Sequence, residues 1–190
     1  MWWDWSKAGE DRPPTKDDHG LETYAKIKGE FRWAKDIVPE YRWFSGEVAR
    51  SLPGDAVDPA RVVSLNRPIG SRDDEDARIQ PFKVMRGKQP YDKGSNQLAV
   101  AHLFGGYWTH FDWTKAIRDG MAAAGLAFSG EHGFVETEMY WKVSHMVVPA
   151  EKALRCEACH GTPGRMDWKA LGYEKDPAST PPSPSPTSGR

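Results

Sequence analysis

Cys156 and Cys159 are the two cysteines of this 190-residue chain, and His160 follows the second directly. The run Cys156-Glu157-Ala158-Cys159-His160 reads C-x-x-C-H. Two thiols at this spacing reach the two vinyl groups of one porphyrin and form thioethers, and the adjacent imidazole comes under the iron as an axial ligand. The spacing points to one covalently attached haem c, with Cys156 and Cys159 as its thioether residues and His160 as the proximal iron ligand. Other chemistries suit these residues less well. A thioredoxin-type dithiol would sit in a βαβ pattern, and none surrounds the motif. A structural zinc site would want a second ligand pair, and there is no further cysteine. A chance match is the remaining alternative.

The sixth iron position decides what such a haem does. Two histidines give a low-spin iron suited to electron transfer, whereas an open or lysine-held position admits substrate chemistry. His19, His102, His110, His132 and His145 are the other histidines. His145 is nearest in sequence and is the first candidate axial ligand, of this haem or of a neighbouring one. A continuous helix from 145 to 160 would set their Cα atoms ~22 Å apart, too far for one iron. Pro149 must turn the chain back, or His145 serves a different haem. His102 and His110, which bracket an aromatic segment, are weaker axial candidates. Met139 and Met146 are expected to be core rather than thioether ligands. The acidic run Asp73-Asp74-Glu75-Asp76 lacks the spacing of a calcium loop and reads as a solvated face. Lys83, Arg86 and Lys88 read equally as a surface basic patch or as partners for haem propionates. No phosphate loop, nucleophile elbow or zincin motif is present.

Composition bounds the rest. The formal net charge of -1 and a pI near 6.6 give no support for a nucleic-acid partner. With 9 Trp, 18 Gly, 15 Pro and only 38% hydrophobic residues, the chain is rich in turn formers and poor in aliphatic runs. A haem and aromatic side chains would then fill the core. No stretch approaches the ~20 apolar residues of a membrane span. Met1-Trp2-Trp3-Asp4-Trp5 lacks the basic start, apolar run and cleavage site of a signal peptide. Covalent haem c is attached outside the cytoplasm. A periplasmic or otherwise exported location is therefore expected, with the sequence as a fragment of a longer protein or the product of a start placed too far downstream. A trimmed mature chain is the third possibility.

The elements that must position the motif read as mainly α, with long irregular loops and a few short strands. Residues 1–30 are expected to form an extended arm, and 31–111 an irregular loop-rich region. Within the latter, short strands are expected on both sides of Val38-Pro39, where Phe31/Trp33 and Tyr41/Trp43 alternate, and at Arg61–Leu65. Residues 51–97 otherwise read as a long irregular excursion. The region 112–175 reads as helical and haem-binding. Asp112 caps a first helix with Trp113, Ile117, Met121 and Ala124 on one face, and Gly125 ends it. The i+4 steps Val135, Met139, Val143 and Val147 predict a second helix over 134–147. A third, over about 150–159, delivers the haem motif. Residues 176–190 are a Pro/Ser-rich tail expected to be disordered.

Longer segments carry a resemblance. Phe134-Val135-Glu136-Thr137-Glu138-Met139-Tyr140-Trp141, then His145 through Leu154, the C-x-x-C-H-Gly run, and Gly164-Arg165-Met166-Asp167-Trp168-Lys169-Ala170-Leu171-Gly172-Tyr173 resemble the C-terminal end of the octahaem tetrathionate reductase family. Ala77–Asp92 and Trp3–Gly9 are similar to the same family, so the likeness covers about residues 1–175. The resemblance implies a multihaem c-type cytochrome of the periplasm that reduces tetrathionate, nitrite or hydroxylamine at a lysine-ligated haem, with bis-histidine haems as a wire. This chain carries one haem motif, not eight. The catalytic haem and its lysine would lie upstream, so no residue here is assigned a catalytic role and enzymatic activity of the chain alone is left open.

The expected role is electron transfer by a C-terminal haem-bearing segment of a multihaem reductase. Trp141 and Trp168 would exclude water and help set the potential. The expected partners are the upstream part of the multihaem protein or other multihaem cytochromes, with no nucleic acid. Two alternatives stand: a subunit that completes haem ligation in a larger complex, and a small stand-alone haem reductase.

Overall fold

The computed structural model describes residues 1–144 and 148–179. It corrects the mainly α expectation: strand makes up 32% of the structure and helix 18%, and the strands form one mixed sheet. Among the described residues the strands are β1 (Trp2–Asp4), β2 (Thr15–Lys16), β3 (Glu22–Ala25), β4 (Gly29–Arg32), β5 (Glu40–Phe44), β6 (Val48–Arg50), β7 (Val63–Pro68), β8 (Arg78–Asp92), β9 (Gln97–Leu98) and β10 (His132–Lys142). The helices are short: α1 (Trp108–His110), α2 (Trp113–Ala123) and α3 (Cys156–Cys159). The backbone separates into two compact units built from interleaved segments. One holds Met1–Ile37, Val48–Arg67 and Val84–Trp141; the other holds Val38–Glu47, Pro68–Lys83 and Lys142–Arg190.

In the first unit the strand order is β2-β3-β4-β1-β8-β10-β7-β6. β1 is antiparallel to β4 and parallel to β8, so Trp2 and Trp3 lie inside the sheet. The ion pairs Arg86–Glu138 and Lys88–Glu136, each at 3.7 Å, link the exposed sides of β8 and β10. Aromatic rings replace the missing aliphatic core. Trp3 stacks on Trp5 at 4.4 Å and meets Phe31 at 5.0 Å, while Tyr107 stacks on Trp113 at 3.9 Å. Tyr107, Ala116, Ile117 and Met121 are fully buried. α2 forms where its signals stood: Asp112 Oδ1 accepts from the Lys115 N–H at 3.0 Å, and Gly125 follows with φ 71°.

The expected helix over 134–147 is instead β10 as far as Lys142. An i+4 step is also a multiple of two, so Val135 and Met139 share a face in either geometry. Thr137 settles it: at 3% exposed it is buried beside Val135 at 2%, while Glu136 between them is exposed. In a helix Thr137 would point away from Val135. The end of that prediction, including Val147 with His145 and Met146, lies outside the described residues.

The irregular excursion expected over 51–97 is also corrected, because the 15-residue β8 runs through it, whereas β7 overlaps the short strand expected at Arg61–Leu65. The strands expected beside Val38-Pro39 exist as β4 and β5, but each joins the sheet through other partners: β4 through β1 and β3, β5 through β8.

In the second unit β5 lies antiparallel to the first residues of β8, from Glu40↔Phe82 to Phe44↔Arg78. The expected helix over 150–159 is not continuous. A 3₁₀ turn at Ala150–Lys152 is followed by extended Ala153 and Arg155, and only then by α3. The expected disordered tail begins with a 3₁₀ turn at Pro177–Ser179, and from residue 180 it lies outside the described residues. No helix among the described residues is long and apolar enough to cross a membrane.

Candidate haem site

β5 anchors the loop that carries Trp168. Trp43 on that strand donates its indole N–H to the Leu171 carbonyl at 3.0 Å, and Leu171 is buried. Arg72 donates to the Gly172 carbonyl at 3.3 Å, and its guanidinium lies 4.9 Å over the Tyr173 ring. These contacts fix the 167–173 loop, which carries Trp168. The loop closes on itself as the Tyr173 N–H donates to the Trp168 carbonyl at 2.9 Å.

α3 is a single turn that puts Cys156 and Cys159 on one side, three residues apart. Both thiols are free; Cys156 is exposed and Cys159 half-buried. His160 leaves the turn in extended conformation while its N–H still donates to the Cys156 carbonyl at 2.9 Å. The chain then folds back, with the Arg165 N–H donating to the Ala158 carbonyl at 3.0 Å. Gly164 permits this return: a Cβ there would stand 2.6 Å from the Cys159 carbonyl oxygen and 2.7 Å from that of Gly161.

Asp176, which sequence reasoning passed over, organises the motif. Its Oδ2 accepts the Gly161 N–H at 2.6 Å, and its Oδ1 lies 2.7 Å from His160 Nδ1 and accepts the Ala178 N–H at 2.9 Å. The Gly161 N–H, with the His160 ring next, holds the Asp176 carboxyl below the usual carboxylate range. A carboxylate only accepts, so the contact puts the ring proton of the neutral His160 on Nδ1 and leaves the lone pair on Nε2. The His160 ring is also stacked on Trp168, with centroids 5.0 Å apart and planes 18° from parallel. Asp176-Pro177 had a signal in the sequence: an acceptor side chain before proline is a common start for a helical turn.

A c-type haem needs two free thiols on one turn and an imidazole whose outer nitrogen is unprotonated, and the chain supplies both. Metal-ligating histidines commonly donate the other ring N–H to a carboxylate, as His160 does to Asp176. Cys156, Cys159 and His160 are thus brought together as the motif requires, and the donor set fits the group.

The distal candidates are placed differently. His145 lies outside the described residues. His102 and His110 belong to the first unit, at opposite ends of a kinked segment that runs through Leu103–Tyr107 into α1. His102 is exposed, and its ring occupies the space beside Gly106, where a Cβ would stand 3.0 Å from Cγ. His110 Nδ1 accepts the Asp112 N–H at 3.0 Å, which puts the ring proton of the neutral form on Nε2. That Nε2 is buried and has no hydrogen-bond partner. Ligation through it requires the bond to Asp112 to be given up.

The comparisons agree with the motif. Residues 1–163 match the family model described as bacterial cytochrome c. The chain is also similar to the crystal structure of octaheme cytochrome c from Shewanella oneidensis, with 44% identity and a TM-score of 0.90. The match covers 97% of this chain and 44% of that one, so the chain spans less than half the length of that relative. No curated protein matches. With the C-x-x-C-H motif inside the matched residues, the chain belongs to the bacterial cytochrome c family.

Proposed function

We propose that the chain is an electron-transfer segment of a multihaem c-type cytochrome, carrying one haem c on Cys156 and Cys159 with His160 as the proximal ligand. The observation that carries this reading is the Asp176-held imidazole beside two free thiols on one turn. A haem there supplies one-electron exchange at its iron. The chain's residues bind and orient: the thiols anchor, Asp176 fixes the tautomer, and Trp168 covers one face of the ring.

The similarity to an octaheme cytochrome, together with a single C-x-x-C-H here, supports an assembly in which further haems are held by an upstream part or by partner cytochromes. A reductase of the tetrathionate, nitrite or hydroxylamine type, at an exported, periplasmic location, is the finer form of the proposal. His145 remains the first distal candidate. His102 is favoured over His110 as a ligand for a partner's haem, because its ring is exposed and free of a bond like that between His110 and Asp112. This favours the second reading, a subunit that completes haem ligation in a larger complex.

The test is expression behind an export signal with the haem c maturation machinery, followed by the pyridine haemochrome and the oxidised-minus-reduced spectrum. One covalent haem per chain with a low-spin spectrum is expected if a histidine of this chain is the sixth ligand. One covalent haem that is high-spin until a partner cytochrome is added favours the ligand-completing subunit. Absence of covalent haem overturns the proposal.

A further inference from the structure

The surroundings of His160 ask more than attachment of a haem requires. Thioethers and a free Nε2 would suffice to hold the group, yet the ring is fixed at two further points. Nδ1 donates to a carboxylate that is only 14% exposed, and one face lies against the Trp168 indole. Trp168 is itself braced, with the Tyr173 ring at 5.7 Å and 89° to it.

We infer that Asp176 and Trp168 are positioning residues that set the electronic character and the plane of the His160 ligand, so that Asp176 keeps the reduction potential of the attached haem low and Trp168 keeps its axial ligand in one orientation. This rests on the proposed attachment at Cys156 and Cys159.

A shielded negative charge at Nδ1 increases electron donation from Nε2 and favours the oxidised iron, which carries one more positive charge. Near-parallel stacking opposes rotation of the imidazole about its Cβ–Cγ bond, because turning the ring would drive its edge into the indole. A rival reading makes Asp176 a loop clasp only, since it also accepts from the Gly161 and Ala178 backbones. A clasp would affect folding and haem loading but would leave the potential of loaded protein where it was.

The experiment uses the full chain, loaded through the maturation machinery, as wild type, Asp176→Asn, Trp168→Ala and Trp168→Phe. Haem content by pyridine haemochrome is read first. A wild type without haem overturns the attachment itself, and the inference falls with it. Given a loaded wild type, potentials come from spectroelectrochemistry and ligand orientation from electron paramagnetic resonance of the oxidised form. Asp176→Asn is expected to shift the potential upward. Trp168→Ala is expected to broaden or split the low-spin signal, and Trp168→Phe to restore it. Loaded Asp176→Asn with the wild-type potential overturns the role of Asp176, and a wild-type signal from Trp168→Ala overturns that of Trp168, with the attachment left standing. If Asp176→Asn fails to load, the histidine ¹⁵N shifts of unloaded chains decide. A proton on His160 Nδ1 in wild type and mixed tautomers in the variant sustain the inference; the same mixture in both overturns it.

Discussion

Gly87 passes so close to Trp3 that a Cβ on it would stand 2.3 Å from the Trp3 carbonyl oxygen. The contact lies in the parallel register of β1 with β8, where these two residues are partners. Backbone lies on both sides, so neither rotamer change nor a flexible side chain can relieve an added methyl. Gly87→Ala is expected to push β1 off β8 and to disturb the Trp3–Trp5 stack beside it. The cost is about 3 kcal/mol, at the upper end for overpacking. A chemical denaturation curve followed by tryptophan fluorescence reads it, and an unchanged midpoint would show that β1 does not need this close approach.

Tyr107 supplies a second test of the aromatic core. Its hydroxyl donates to the Ala8 carbonyl at 2.8 Å, and the side chain is fully buried. Tyr107→Phe keeps the stack on Trp113 but leaves that carbonyl without its partner, at about 1–3 kcal/mol. Burial pushes the phenol well above the ordinary tyrosine value. The unfolded chain therefore releases this proton first as pH rises. The stability linked to Tyr107 is whole below about pH 10 and is lost above it. The Phe variant should show a shallower alkaline loss than wild type in denaturation midpoints taken across that range.

Asp92 predicts the opposite limb. It is 1% exposed and takes hydrogen bonds from the Ser95 hydroxyl at 2.6 Å, the Ser95 and Ser129 N–H groups at 3.2 Å, and the Ser129 hydroxyl. Burial alone would raise its pKa, but the bonds from Ser129 and Ser95 together outweigh burial and hold the carboxyl below its usual range. A lowered folded value means that the unfolded chain binds the proton first as pH falls. The contribution is whole above about pH 5 and declines below about pH 4. Asp92→Asn should lower the neutral plateau by about 1–3 kcal/mol and flatten the acid slope. Parallel acid slopes in the two proteins would remove Asp92 from the acid response.

These residues also show what could be read from the chain and what could not. The haem motif and α2 were legible because their signals are local: adjacent thiols and imidazole in one case, a cap and a short helical face in the other. The sheet was hidden. β8 contains Pro81, Gly87 and Pro90, which read as loop punctuation. In the fold Gly87 makes room for Trp3, and the Pro81 carbonyl accepts the Val143 N–H at 3.0 Å. Those reasons belong to segments distant in sequence. Asp176 was missed on the same ground, because it meets His160 across 16 residues, at the edge of a proline-rich tail.

Gly164 tests whether the return of the chain behind α3 matters for attachment. A methyl there would meet the carbonyl oxygens of Cys159 and Gly161 at 2.6 and 2.7 Å, and both are backbone atoms. To relieve it, the 161–165 turn must open, which draws the Gly161 N–H away from Asp176 and loosens the His160 ring. Gly164→Ala is therefore expected to lower haem loading several-fold with both thiols and the imidazole still in the sequence. Lys169→Ala, at an exposed position on the neighbouring loop, serves as the control and should load as wild type. The measurement is haemochrome absorbance per mole of purified chain. Equal loading in all three would mean that the motif attaches its haem without the turn, and that the Asp176 contact forms only as a consequence of folding.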